Sequence, residues 1–148
     1  MVRVVPVVIR QPTWRPRELA FIYVLIYYLA MAYVPKRAGV KDLKFRGSSL
    51  KDLCEFPKDA RREAGYQLDR VQYGLDPEDF KAMPDVGPGV QEIRIKDEAG
   101  IFRVLYVAKF EDAVYVLHCF QKKTQRTAKS DLDLASRRYA DLVKEQKR

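Results

Sequence analysis

Between residues 92 and 123 the chain carries side chains of the types needed to break a phosphodiester without a metal. Attack of a ribose 2′-hydroxyl on the adjacent phosphorus calls for a base at that hydroxyl and an acid at the departing 5′-oxygen. It also calls for cations around the phosphate. Histidine titrates near neutrality unaided, and His118 is the chain's single histidine. Arginine stays protonated, so Arg94 and Arg103 can grip a phosphate through paired N–H donors but cannot act as the base. Lys96, Lys122 and Lys123 add positive charge, and Phe120 offers a flat apolar ring on which a splayed base stacks. No carboxylate cluster of the kind used by a two-metal nuclease accompanies them, so the expectation is chemistry with no metal and no cofactor, or binding alone.

These residues belong to three expected strands, 90–96, 101–110 and 113–121, with turns at Asp97-Glu98-Ala99-Gly100 and Glu111-Asp112. A two-residue turn at Glu111-Asp112 pairs Phe110 with Ala113, which sets Arg103 opposite Phe120 and Leu105 opposite His118. Pairing Lys96 with Ile101 sets Arg94 opposite Arg103. Because side chains alternate along a strand, one face then shows Glu92, Arg94, Lys96, Arg103, Lys109, His118, Phe120 and Lys122. The other shows Ile93, Ile95, Phe102, Val104, Tyr106, Ala108, Phe110, Tyr115, Leu117 and Cys119. Two arginines directly opposite each other repel, and an anion bound between them would relieve this. Plainer readings stand beside the functional one. Glu92 and Arg94 can be a surface ion pair, and His118 a hydrogen-bonded structural histidine. Lys122-Lys123 can protect a strand end, and Phe120 can cover the last helix.

The elements that position this face are legible from period and punctuation. Residues 41–46 alternate as an opening strand, and Gly47-Ser48-Ser49 breaks them. Ser49 with Asp52 resembles a capping box for a short helix through Phe56. Pro57 suits the first turn of a second helix, with Ala60, Ala64, Leu68 and Val71 as its apolar stripe. Residues 74–89 read as a connector, whose Gly87-Pro88-Gly89 lacks the Lys-Ser/Thr of a phosphate loop. Ser130 is placed to cap a last helix with Leu132, Ala135, Tyr139, Leu142 and Val143 as its stripe. The fold class expected is α+β: a helical hairpin packed on a small antiparallel sheet, with a C-terminal helix.

Twenty-eight Lys and Arg against 20 Asp and Glu leave a net charge of +8, which points to an anionic partner: nucleic acid, membrane or acidic protein. Cys54 and Cys119 form no CxxC pair, and with one histidine they make no zinc set. Both fall at apolar positions, so reduced buried thiols are expected, in keeping with the cytoplasm. Residues 19–34 carry no charge and are flanked by Arg15, Arg17, Lys36 and Arg37. They are short for a membrane helix, which needs ~20 apolar residues. They also fit a signal peptide with Ala30-Met31-Ala32 as its cleavage site, or a stretch upstream of the true start.

Several strings taken together resemble the phage-derived, HigB-like branch of the RelE/HigB/ParE toxin superfamily, from Val40 to the C-terminus. They are Phe45-Arg46-Gly47-Ser48-Ser49-Leu50-Lys51-Asp52-Leu53, Gly87-x-Gly89-Val90-x-Glu92-Ile93-Arg94, Phe102-Arg103-Val104-x-Tyr106 and His118-x-Phe120-Gln121-Lys122-Lys123-Thr124. The resemblance implies a RelE-like helical hairpin on a small sheet, mRNA cleavage on the ribosome, and neutralisation by a cognate helix-turn-helix antitoxin. By motif, Arg94 and Arg103 hold phosphate, His118 transfers protons, and Lys122 and Lys123 contact RNA or ribosome. The C-terminal aromatic of some relatives has only Tyr139 as a counterpart. Residues 1–39 lie outside the resemblance, which favours a start near Val40 and a toxin domain at 40–148, with no membrane partner. Three functions follow: a ribosome-dependent endoribonuclease, a non-catalytic toxin of the same fold acting on a target such as a DNA topoisomerase, and a membrane-associated basic protein.

Overall fold

The computed structural model describes residues 39–148 and, before them, Ile26 and Leu29, which are helical and exposed. The chain divides into two units, Met1–Lys36 and Arg37–Arg148, and every element of the candidate site belongs to the second. The apolar segment 19–34 lies, but for Ile26 and Leu29, outside the described residues. Among the described residues no helix is long and apolar enough to cross a membrane.

Five strands form one sheet: β1 (Asp42–Phe45), β2 (Phe80–Ala82), β3 (Val90–Asp97), β4 (Gly100–Val107) and β5 (Ala113–Lys122), in the order β1-β5-β4-β3-β2. The fold is α+β as expected, but the sheet is mixed rather than antiparallel. β1 runs parallel to β5, from Asp42 opposite Ala113 to Phe45 opposite Val116. A parallel neighbour needs a long crossover, and the helices and hairpins between β1 and β5 provide it. β2 falls within the stretch expected to be a connector. Its three residues are exposed, so nothing in their pattern signals a strand; backbone pairing with Gln91, Glu92 and Ile93 makes them one.

Helices α1 (Ser49–Cys54) and α2 (Lys58–Gln72) cover one face of the sheet. The α2 stripe of Ala60, Ala64, Leu68 and Val71 is buried against Ile93, Ile95, Phe102, Val104 and Tyr106. The caps differ from expectation. Ser48, not Ser49, precedes α1, and the Ser49 hydroxyl is buried and donates to the Val116 carbonyl at 3.2 Å. Pro57 stands just ahead of α2 rather than in its first turn. Helix α3 (Lys129–Gln146) lies on the opposite face, where Ala135, Tyr139 and Leu142 are buried with Leu105, Val107, Tyr115 and Leu117. It begins after Ala128, with no side-chain cap from Ser130.

The β3–β4 register is as expected, with Lys96 opposite Ile101 and Arg94 opposite Arg103. Between β4 and β5 the expected register holds from Ile101 opposite Lys122 to Leu105 opposite His118, and then slips by one. Tyr106 pairs with Val116, so Leu117 is the extra residue of a β-bulge. The bulge moves Tyr115 and Leu117, expected beneath the helical hairpin, to the α3 side, and Val114 and Val116 take their place. The two-residue turn is also lost. β4 ends at Val107, and the Lys41 ammonium holds the carbonyls of Ala108 and Phe110 at 2.6 and 2.7 Å.

Arg138 on α3 closes the bulge. Its guanidinium donates to the Leu117 carbonyl at 2.8 Å and to the Ser48 hydroxyl at 2.9 Å. Gly47, in the left-handed region at φ +56°, makes room for it, because a Cβ there would lie 2.7 Å from Arg138 Nε. Arg46 grips Glu145 through two bonds of 2.7 and 2.6 Å, and this hydrogen bonding holds the Glu145 carboxyl below the usual range. Replacing Arg138 by Ala leaves a strand carbonyl without its partner and should cost about 1–3 kcal/mol. Urea denaturation should show a lowered midpoint at unchanged slope. A depressed carboxyl stabilises above its unfolded value and loses that effect as pH falls through the folded one. Glu145→Gln should therefore narrow the stability gap between neutral and acid pH, measured by the same titration.

Candidate nucleic-acid interface

The strand registers lay the candidate residues out in three rows across β3, β4 and β5. Lys96, Ile101 and Lys122 form the outermost row, Arg94, Arg103 and Phe120 the next, and Glu92, Leu105 and His118 the third. All lie on the face that α3 packs against. Toward Val90, Val107 and Tyr115 that face is apolar core under α3. Toward the Asp97–Gly100 turn it is charged, and there α3 begins. The face expected to be one continuous basic surface is therefore half covered.

The repulsion between the paired arginines is relieved by the chain's own Glu92. Its side chain is 5% exposed, with Oε1 3.2 Å from Arg103 Nε and 3.6 Å from Arg94 Nε. Neither contact meets hydrogen-bond geometry, and Glu92 Oε2 is buried with no partner. The plainer reading of Glu92 and Arg94 as a surface ion pair does not hold for the carboxylate, which is in the interior, where charge interactions are stronger than in water. Arg103 is buried as well, and its Nη1 donates to the Phe102 carbonyl at 3.0 Å. Arg94 is more open at 38% exposure, and reaches Asp79 at 3.9 Å. Lys96 and Lys123 are exposed, and Lys122 is half-buried.

His118 is only 6% exposed. Its Nε2 lies 2.7 Å from Asp131 Oδ1 in the first turn of α3, and its ring stacks on Phe120 with centroids 5.1 Å apart. Asp131 is suited to that turn, where the helix dipole favours negative charge. A carboxylate on Nε2 places a proton there and orients the ring, leaving Nδ1, which is buried and has no partner. Asp131 was not singled out from the sequence. The available signal was an acidic residue in the first turn of a helix that a short link returns toward His118. Phe120 is 9% exposed and packs in the α3 core, which is the covering role.

Tyr139 sits eight residues along α3 from Asp131, toward the covered end. Its hydroxyl donates to the Pro88 carbonyl at 2.9 Å and accepts from Lys109 at 2.6 Å. Its ring fills the place of a Cβ at Gly87, which would fall 2.4 Å from the ring. Gly87-Pro88-Gly89 is thus a seat for this tyrosine. Lys109, expected on the basic face, is drawn to it instead. Among the described residues no three His, Cys, Asp or Glu side chains converge as a metal centre would require. Cys119 is buried and Cys54 half-buried, both as free thiols, and burial pushes both thiols up.

Comparison with known families matches residues 51–140 to the model described as Phage derived protein Gp49-like (DUF891). The chain belongs to the Gp49-like family. The matched span runs from α1 to within α3 and contains Glu92, Arg94, Arg103, His118 and Asp131. This family is associated with RelE-like toxins of toxin–antitoxin systems. No curated protein matches the chain.

If Asp131 sets the His118 ring of this Gp49-like protein, its replacement by Ala should be visible directly at the imidazole. Long-range ¹H–¹⁵N NMR should show the Nε2-protonated form in the native protein. Asp131→Ala should convert it to a mixture of tautomers while the amide spectrum stays folded.

Proposed function

We propose that this Gp49-like protein is the toxin of a type II toxin–antitoxin system, of the HigB-like branch. On this reading it acts in the cytoplasm as a metal-free, ribosome-dependent mRNA endoribonuclease that halts translation. The observation that carries the reading is the row of Arg94 and Arg103, next to the row that ends in His118, toward the Asp97–Gly100 end of the sheet, where Arg94 is half-buried and Lys96 exposed. Arg94 and Arg103 hold the scissile phosphate and stabilise the charge that builds on it. His118, oriented by Asp131, takes or gives the proton in the attack of the 2′-hydroxyl. Lys96, Lys122 and Lys123 guide the RNA backbone. The cognate antitoxin, a helix-turn-helix protein, and the mRNA on the ribosome are its partners.

A second reading, a non-catalytic toxin of the same fold with another target such as a DNA topoisomerase, is favoured by one observation. His118 and Phe120 are both about nine-tenths buried, which suits structural roles. Expression of the chain with and without its neighbouring gene, with mRNA 5′ ends mapped, separates the two. Endoribonuclease action yields growth arrest with new 5′ ends inside translated messages and rescue by the neighbour's product. His118→Ala should slow cleavage by about 10²–10⁴-fold, and Arg103→Ala should abolish toxicity, each in protein that still folds. Full toxicity in both variants overturns the nuclease, and arrest with intact mRNA and DNA-damage signalling establishes the second reading.

A further inference from the structure

We infer that Glu92 is the built-in competitor of the phosphate clamp: its carboxylate occupies the inner edges of Arg94 and Arg103, and so sets how tightly the clamp takes an RNA phosphate. The inference rests on the reading of those arginines as phosphate ligands. Glu92 lies one row inward on β3, two residues from Arg94, and reaches both guanidinium groups through a single oxygen. It meets each at Nε, at 3.2 and 3.6 Å, and not through the paired fork in which arginine binds a carboxylate most strongly. Hydrogen bonds among the described residues leave Nη2 of both arginines without a protein acceptor. One anion is thus already present at the Nε edge of both arginines, Asp79 stands 3.9 Å from Arg94 Nη1, and the Nη2 groups are those that a further anion would use.

The charges explain the arrangement. Two unpaired arginines opposed across neighbouring strands would repel in the absence of RNA, with Arg103 almost wholly buried. Glu92 makes the free protein tolerable because it is the carboxylate that lies against both arginines, whereas Asp79 reaches Arg94 alone at 3.9 Å. The same charge opposes an incoming phosphate, and Glu92 Oε2 is buried with no hydrogen-bond partner. Glu92 is a positioning residue in this account. It holds the two guanidinium groups ready and weakens their grip, which favours release of cut RNA.

Binding of a short single-stranded 2′-O-methyl RNA, which lacks the attacking hydroxyl, tests this in wild-type protein and in Glu92→Gln, Arg94→Ala and Arg103→Ala. Glu92→Gln should bind roughly tenfold more tightly at low salt. Its log–log salt dependence should steepen by about 0.7 for one further phosphate neutralised, and its thermal midpoint should fall. A structural role alone would lower the midpoint without tightening binding. If either arginine variant binds more weakly while Glu92→Gln does not bind more tightly, this inference is overturned and the clamp survives. If neither arginine variant loses affinity, the clamp itself is wrong. Should Glu92→Gln not fold, Glu92→Asp keeps the charge but withdraws it from both arginines, and it should bind more tightly than wild type; unchanged or weaker binding overturns the inference.

Discussion

The bulge at Leu117 and the arginine that holds it are what the rest of the structure depends on. A strand with one extra residue exposes a carbonyl that the sheet cannot pair, and here Arg138 reaches across from α3 to take it. The same guanidinium binds Ser48 at the entrance to α1. One side chain therefore joins α3, the central part of β5 and the loop between β1 and α1. With the bulge in place, Leu117 and His118 both serve the α3 face. Leu117 enters the apolar core there, and His118 meets Asp131.

This explains what several resemblance-bearing residues do. Arg46, Gly47 and Ser48 look like a functional signature when read along the chain. In the fold they receive α3: Arg46 through Glu145, Gly47 by leaving space, and Ser48 by accepting from Arg138. Gly87 does the same for Tyr139. Such residues can recur in a family because a helix must lie at a given depth on the sheet. The depth matters for chemistry as well, since it decides where Asp131 stands relative to His118 and how much of the charged face stays open.

The charged end of the sheet shows how a like-charge pair is accommodated. Arg94 and Arg103 face each other across β3 and β4, and a third residue on the same face answers them. Glu92 belongs to the alternating pattern of β3, so its position beside Arg94 follows from the strand period. Its proximity to Arg103 follows only from the pairing of β3 with β4. Burial then changes its weight, because a carboxylate at 5% exposure is poorly screened by solvent.

The sequence by itself determined the α+β class, the α2 stripe, the three long strands and the two-faced division of β3 and β4. It also determined the cross-strand meeting of Arg94 with Arg103. These follow from local periods of two and 3.6 residues and from a tight turn at Asp97–Gly100, all carried by residues near one another in the chain. The tertiary structure alone decided the parallel place of β1, the short edge strand β2, the bulge, and the covering of His118 and Phe120. It also decided the Asp131 partner and the seat of Tyr139. Each of these depends on groups far apart in the chain, such as Arg138 with Ser48 or Tyr139 with Gly87. An inserted residue in a strand leaves no mark in hydrophobic period beyond a shift of one, and only a distant donor makes that shift stable. The basic face was therefore legible as a set of residues, while its extent was decided by where α3 came to rest.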